Sequence, residues 1–266
     1  INMSARGPCT LPAVAVLGTA PAADAAVHRV FPGESIQAAI DGAAPGDTIL
    51  VEPGTYQETG NADNGLNITT DNLRLIGKQG EGEAGKVRLL RTGTQQRGVY
   101  AAPLGCGPAV FVCADELQGF YIRGFSVEGF PKNGIQTRFV NGFEFIRNES
   151  VNNRDNGLYP TLSANGLVQN NVSYGSLDTS LWVAGSENVR VIGNELYGSP
   201  TGLEITVANN VLATNNDIHD NTVGVGLYHP NAAGNPHKPV MANWVIEQND
   251  IHDNNLPNPA PPGSFQ

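Results

Sequence analysis

One short phrase returns at a nearly fixed interval between Asn148 and Asn249, and that interval limits the folds open to the chain. The phrases are Asn148-Glu149-Ser150-Val151, Asn171-Val172-Ser173-Tyr174, Asn194-Glu195-Leu196-Tyr197, Asn216-Asp217-Ile218-His219 and Asn249-Asp250-Ile251-His252. Successive Asn residues lie 23, 23, 22 and 33 positions apart. A second marker keeps the same beat: Asn133-Gly134-Ile135, Asn156-Gly157-Leu158, Thr179-Ser180-Leu181, Thr201-Gly202-Leu203 and Val223-Gly224-Val225. Such a period, holding short apolar runs and Gly/Asn turns with no helical stretch, is too short for a propeller blade. It matches one coil of a parallel β-helix, whose coils must stack to bury their apolar faces. The expectation is at least five coils over residues 117–255, with Ile135, Leu158, Leu181, Leu203 and Val225 in one buried column.

Composition agrees. Charged residues make up only 15% of the 266, and glycine reaches 32. The net charge of −10, with no basic run to neutralise phosphates, argues against nucleic acid as a partner. No apolar run approaches the ~18 residues of a membrane span. Of the three cysteines, Cys106 and Cys113 bracket a loop short enough for a local disulfide. A metal reading would need further Cys or His nearby. Cys9 is left unpaired or bonded outside the chain, and this usage favours an oxidising compartment, secreted or cell-surface, extracellular or periplasmic.

Three regions are expected: an extended leader over 1–30, a β-helix domain over 31–256 and a Pro-rich tail over 257–266. The start at Ile1 suggests processing or a fragment, and Leu11 to Ala26 has a faint secretory character broken by Pro21 and Asp24. The last coil shows no cap before Pro257. Further sequence or another chain is expected there, with end-to-end or lateral self-association as one outcome.

Ser35 to Asp41 reads as a short helix: Ser35 caps it, Ile36, Ala39 and Ile40 share a face, and Gly42 stops it. Together with Gly46-Asp47-Thr48-Ile49-Leu50-Val51-Glu52-Pro53-Gly54-Thr55-Tyr56, this stretch resembles the opening of pectin-lyase-like right-handed β-helix proteins. The resemblance covers roughly residues 30–255 and implies an all-β, right-handed parallel β-helix with a short N-terminal capping helix. It implies little about activity, because that superfamily holds lyases, hydrolases, epimerases, tailspikes and inert surface proteins.

The recurrent Asn is expected to form an internal ladder at coil corners, tolerating left-handed or bridging backbone there. Tyr174, Tyr197, His219 and His252 are expected to stack as a column rather than bind metal. Lys78, Lys86, Arg88, Arg91 and Arg97 gather in or near a loop, either solvated or facing an anion.

Alternation along strands places Gln136, Tyr159, Trp182, Glu204 and Gly226 outward, with Arg138, Thr161, Ala184, Thr206 and Tyr228 two positions on. Aromatic rings beside a carboxylate suit sugar recognition, unless a loop covers them. The interval of 33 marks an insertion at Pro230 to Pro239, carrying His237 and Lys238, that leaves the strand of Tyr228 and should wall the same face. Asp155 and Asp178 hold equivalent places, one coil after Lys132; Lys132 balances their charge, or they bind Ca²⁺. No other cofactor is expected.

The resembled polysaccharide lyases and mannuronan C-5 epimerases need a group that neutralises the uronate, a base and an acid. By that resemblance, Arg138, Lys132 or Ca²⁺ neutralises, and Tyr159, Tyr228 or His229 moves protons. Trp182, Glu204, Gln136, His237 and Lys238 would hold the substrate. The epimerase Tyr-Gly to Asp-Pro-His motif is absent, and Asn156-Gly157-Leu158-Tyr159-Pro160 only echoes it. No pair of neighbouring aspartates of the polygalacturonase kind occurs. The expected function is binding and modification of a uronate-containing polysaccharide, and the competing class is a non-catalytic surface or assembly scaffold.

Overall fold

The computed structural model describes residues 24–59, 62–228 and 241–257. Its strands form three parallel sheets, each collecting one strand per coil. Sheet A has nine strands, from Val27–Val30 to Trp244–Glu247; sheet B has eight, from Gly54–Tyr56 to Asp250–His252. Sheet C has seven, from Asn64–Ile68 to Val223–Tyr228. Neighbours in each sheet are one coil apart in sequence, so the chain winds as a parallel β-helix. Val27–Val30 already pairs with Thr48–Val51. The solenoid therefore begins inside the stretch expected to be leader, with Val30 buried in the core where this strand extends sheet A.

The register follows the second marker. Ile135 pairs with Leu158, Leu158 with Leu181, Leu181 with Leu203, and Leu203 with Val225. The first four are fully buried, and Val225 packs partly buried against them. Phe120, Phe125, Phe130, Phe143 and Phe145 fill the wider core of the earlier coils. The helix Ile36–Asp41 forms where expected. The Ser35 hydroxyl accepts the Ala38 N–H, and Ile36 and Ile40 are buried.

The glycine of the marker reflects close approach of coils. A Cβ at Gly98 would lie 2.1 Å from a Val127 methyl and 2.6 Å from the Gly134 carbonyl oxygen. Backbone cannot yield as a flexible side chain does. Gly98→Ala should lower stability by roughly 1–3 kcal/mol, the usual cost of overpacking, read as a drop in the urea midpoint at constant m-value. An unchanged midpoint would show that the coils part freely here.

The Asn ladder forms inside the solenoid. Asn148, Asn171, Asn194 and Asn216 each donate Nδ2–H to the Oδ1 of the next rung, at 2.8–3.0 Å. Each also donates to a core-strand carbonyl, that of Ile122, Phe145, Val168 or Val191. The left-handed backbone sits one residue earlier than expected, at Arg147, Asn170, Gly193, Asn215 and Gln248. The preceding residue turns the corner, which aims the ladder amide inward. A separate, exposed ladder joins Asn141, Asn165, Asn188, Asn210 and Asn243.

Candidate functional site

Sheet C carries its outward side chains in the register that the sequence implied: Gln136 over Tyr159, Trp182 over Glu204, and Glu204 over Gly226. Two earlier coils extend the face, with Gln136 over Tyr100 and Tyr100 over Asn67. Tyr100 was missed by sequence reasoning, and Arg97 was grouped with the cationic loop rather than with this face. Their signal is Gly98-Val99, the same marker as Gly134-Ile135, concealed because 36 residues separate the two glycines instead of 23.

The excess is a second long insertion, residues 102–116 between the strands Arg97–Ala101 and Leu117–Arg123. The bridge Cys106–Cys113, with Cα atoms 6.0 Å apart, closes it on itself. It folds down on sheet C. Tyr100 Oη donates to the Cys106 carbonyl at 2.8 Å, and Arg138 Nε donates to the Val110 carbonyl at 2.7 Å. The Arg138 guanidinium lies 4.9 Å from the Phe111 ring centroid and 5.4 Å from that of Phe139.

This corrects the reading of Arg138 as an outward group at the groove rim. It is 4% exposed, and burial pulls its pKa below the usual arginine value. Gln136 is likewise buried, taking N–H groups from Arg97 Nε at 2.9 Å and Asn133 Nδ2 at 2.8 Å. A loop not recognised as an insertion covers Arg138.

Past this loop the face opens. Tyr159 and Trp182, both half-buried, stack 4.7 Å apart at 16°. Trp182 Nε1 donates to Thr206 Oγ1 at 3.0 Å, and Thr206 Oγ1 in turn donates to Glu204 Oε1 at 2.8 Å. Thr179 holds the other Glu204 oxygen at 3.0 Å. The relay fixes the indole and the carboxylate side by side, and Tyr228 stands exposed one coil on.

Electrostatics divides the acids. Desolvation against the groove wall, then the charges of Glu204 and Asp155, push Asp178 up to about 6. Desolvation raises Glu204, opposed by its hydrogen bonds to Thr206 and Thr179. Desolvation also raises Tyr228, helped by Glu204 and Asp178, and burial raises Tyr159. Lys132 Nζ sits 3.4 Å from Asp155 Oδ2.

Asp155 and Asp178 would supply two oxygen ligands to a Ca²⁺ ion. Among the described residues, no third His, Cys, Asp or Glu joins them within 4.8 Å, whereas Ca²⁺ takes six to eight oxygens. Lys132 beside Asp155 is the charge-balancing partner expected as the alternative to the ion. His229, His237, Lys238 and the Pro230–Pro239 insertion lie outside the described residues, as does Cys9.

Three of the five cationic residues form ion pairs, while Arg91 Nε donates to the Gln95 carbonyl at 3.1 Å and Arg97 Nε to Gln136. Lys78 meets Glu52 at 3.0 Å, Lys86 meets Glu149 and Glu83 at 2.8 Å, and Arg88 meets Glu128 at 2.6 Å. The column Tyr174, Tyr197, His219 and His252 stacks as expected, at 4.8, 5.1 and 5.2 Å.

Comparison with known proteins agrees with this architecture. Residues 122–260 match the family described as the right handed beta helix region. The chain belongs to this family. Among solved structures, the pectate lyase Pel9A superposes on the β-helix with a TM-score of 0.53 at 14% identity, covering 90% of this chain and 82% of that one. The mannuronan C-5 epimerase AlgE4 A-module of Azotobacter vinelandii gives a TM-score of 0.42 at 17% identity, over 73% and 69% of the two chains. The alginate lyase of Paenibacillus sp. str. FPU-7 gives 0.42 at 14% identity, over 85% and 99%. Among curated proteins, none matches this sequence. Among the described residues, no helix of this β-helix protein is long and apolar enough to cross a membrane.

Proposed function

We propose that this β-helix protein binds a polysaccharide along the open half of sheet C and modifies it by proton transfer at a uronate unit, as a lyase or epimerase does. The observation that carries the reading is the Tyr159–Trp182 stack, set beside Glu204 and Asp178 with Tyr228 exposed one coil away. Flat rings hold the apolar face of a pyranose, and fixed carboxylates take its hydroxyl protons.

The roles follow from the environments. Asp178, ionised above about 6, is the group suited to remove the proton at carbon 5 near neutral pH. Tyr228, whose raised pKa keeps it protonated, returns a proton to the leaving oxygen or to the opposite face. Lys132, half-exposed beside Asp155, balances the sugar carboxylate. In elimination, the C–H electron pair becomes the new double bond and the glycosidic C–O bond at carbon 4 breaks. The bridge Cys106–Cys113 supports a secreted or cell-surface setting.

A second reading, a non-catalytic carbohydrate-binding scaffold, draws on the state of Arg138. Its guanidinium is committed to Val110 and the rings around it, so Arg138 is not available to a uronate.

The deciding experiment follows ultraviolet absorbance of unsaturated uronate products, with deuterium exchange at carbon 5, across a polysaccharide panel. Product or exchange on one member supports catalysis; binding without either supports the scaffold. For that polysaccharide, Trp182→Ala should weaken affinity about fivefold, in line with the ~1 kcal/mol of an aromatic contact beyond area burial, while the thermal unfolding curve keeps its cooperativity. Calorimetry giving wild-type affinity for the variant would remove Trp182 from the site.

A further inference from the structure

Sheet B, away from the glycan face, presents a second group of side chains with no part in the reading above. In-register parallel pairing puts Glu195, Asp217 and Asp250 in one outward column and Tyr197, His219 and His252 in the next but one position. Directly opposed like charges destabilise a sheet, and here three carboxylates follow one another on consecutive coils. Among the described residues, no Lys or Arg ion pair reaches Glu195, Asp217, Asp220, Asp250 or Asp253; their cationic partners are His219 and His252 alone.

The last two coils draw these groups to a point. His252 Nε2 lies 3.1 Å from Asp217 Oδ1, and a ligand oxygen of Asp250 falls with them inside a 4.8 Å cluster. The other ring nitrogen, Nδ1, is held by Asp253 Oδ2 at 2.9 Å. Asp253 on Nδ1 and Asp217 on Nε2 hold the imidazole in one orientation, with Nε2 directed at Asp217 and Asp250 beside it; an ion bound there takes the place of the Nε2 proton. One coil earlier the pattern recurs in looser form, with His219 Nδ1 on Asp220 at 2.9 Å and Nε2 at 3.6 Å from Glu195.

We propose that Asp217, Asp250 and His252 form a binding site for a divalent transition ion of the zinc class, with Asp253 positioning the imidazole. The donor set decides the class. One imidazole nitrogen and two carboxylates suit a borderline ion that takes three protein ligands and keeps a fourth position for water. Calcium and magnesium want more oxygens and no nitrogen. Ligand bonds of about 2.0–2.2 Å require adjustments of exposed side chains within a cluster whose ligand atoms already lie within 4.8 Å of one another. The ion bridges two coils, so it relieves repulsion between their strands and stabilises the C-terminal end of the solenoid.

The test is zinc titration of the chelator-stripped chain, followed by calorimetry and by thermal unfolding, with magnesium and calcium as comparison ions. Wild type should bind one zinc here and unfold at a higher temperature with it, because the ion binds the folded state. Asp217→Asn and His252→Gln should each weaken that binding at least about tenfold, and Asp253→Asn about tenfold through loss of orientation. Asp115→Asn, on the distant disulfide loop, should bind as wild type does. All of these residues are at the surface, so metal-free melting curves should coincide and separate a lost ligand from a lost fold. Zinc binding that ignores both Asp217→Asn and His252→Gln overturns the site. Loss with Asp217→Asn but not with His252→Gln, together with equal affinity for calcium, overturns the ion class.

Discussion

Asn171→Ala should cost about 3 kcal/mol or more of folding stability, far beyond an ordinary polar substitution. The Asn171 side chain donates to the Phe145 carbonyl at 2.9 Å and to Asn194 Oδ1 at 2.9 Å. Its own Oδ1 receives both the backbone N–H and the Nδ2–H of Asn148, at 2.9 and 3.0 Å. Truncation strands the Asn148 N–H and the Phe145 carbonyl where water does not reach, at about 1–3 kcal/mol for each unsatisfied group, and opens a small cavity. Asn171→Asp should be worse, because it keeps the acceptor but replaces the doubly donating nitrogen with one oxygen that faces two oxygens. The comparison is Asn188→Gly on the exposed ladder, where water replaces the lost amide bond and glycine accepts the positive φ of 55°; there the loss should stay below about 1 kcal/mol. Urea unfolding of the three variants decides it. Equal losses in the buried and exposed ladders would show that desolvation is not what makes the inner rung matter.

Asp178→Asn should reduce turnover by about 10²–10⁴, the usual contribution of a positioned general base, with substrate affinity little changed. The wild-type rate should rise with pH and level off above about 6 as Asp178 ionises, and the variant should lack that limb. Stability runs the other way. The folded-state pKa is raised above the ordinary 3.8, so the folded chain holds the proton more tightly than the unfolded one. That contribution is fully present below about 3.8 and is lost as pH rises through about 6. Asp178→Asn should therefore gain stability at pH 7 and none at pH 3.5; with the side chain at the surface, screening keeps the gain to on the order of 1 kcal/mol or less. A variant with wild-type turnover would move the chemistry elsewhere on the face, whatever its stability did.

The solenoid and its register were legible in the sequence because a parallel in-register stack repeats its local chemistry. Wherever Leu158 points inward, so must Leu181 and Leu203 one period later, and the same arithmetic carried Tyr159, Trp182 and Glu204 outward. Periodicity cannot say what lies over a face. Arg138 and Gln136 were placed in the right column but given the wrong exposure: residues 102–116 bend back onto Arg138 and Tyr100 through bonds to backbone carbonyls, and Arg97 and Asn133 hydrogen-bond Gln136. No short pattern in that loop announces those contacts. Its disulfide was legible from spacing, yet the bridge says how the loop closes and not where it docks. Asp155 and Asp178 share a column, but their difference in surroundings, one beside Lys132 and the other between carboxylates, emerges only in three dimensions. The place of Arg97 and Tyr100 on this face was hidden by the same insertion, which broke the beat by which the other coils were counted.

The inner Asn ladder also has a direction. Every rung from Asn148 to Asn216 donates its amide toward the coil that follows, so the side-chain dipoles point the same way along the axis and polarise one another. Each coil thus meets its successor with an oriented donor whose partner lies one period on, which ties the ladder to the register. Such a chain behaves as a one-dimensional lattice with a coupling constant between neighbours. A defect at one site then loosens the coils on both sides of it, and unfolding should spread along the axis from the damaged rung.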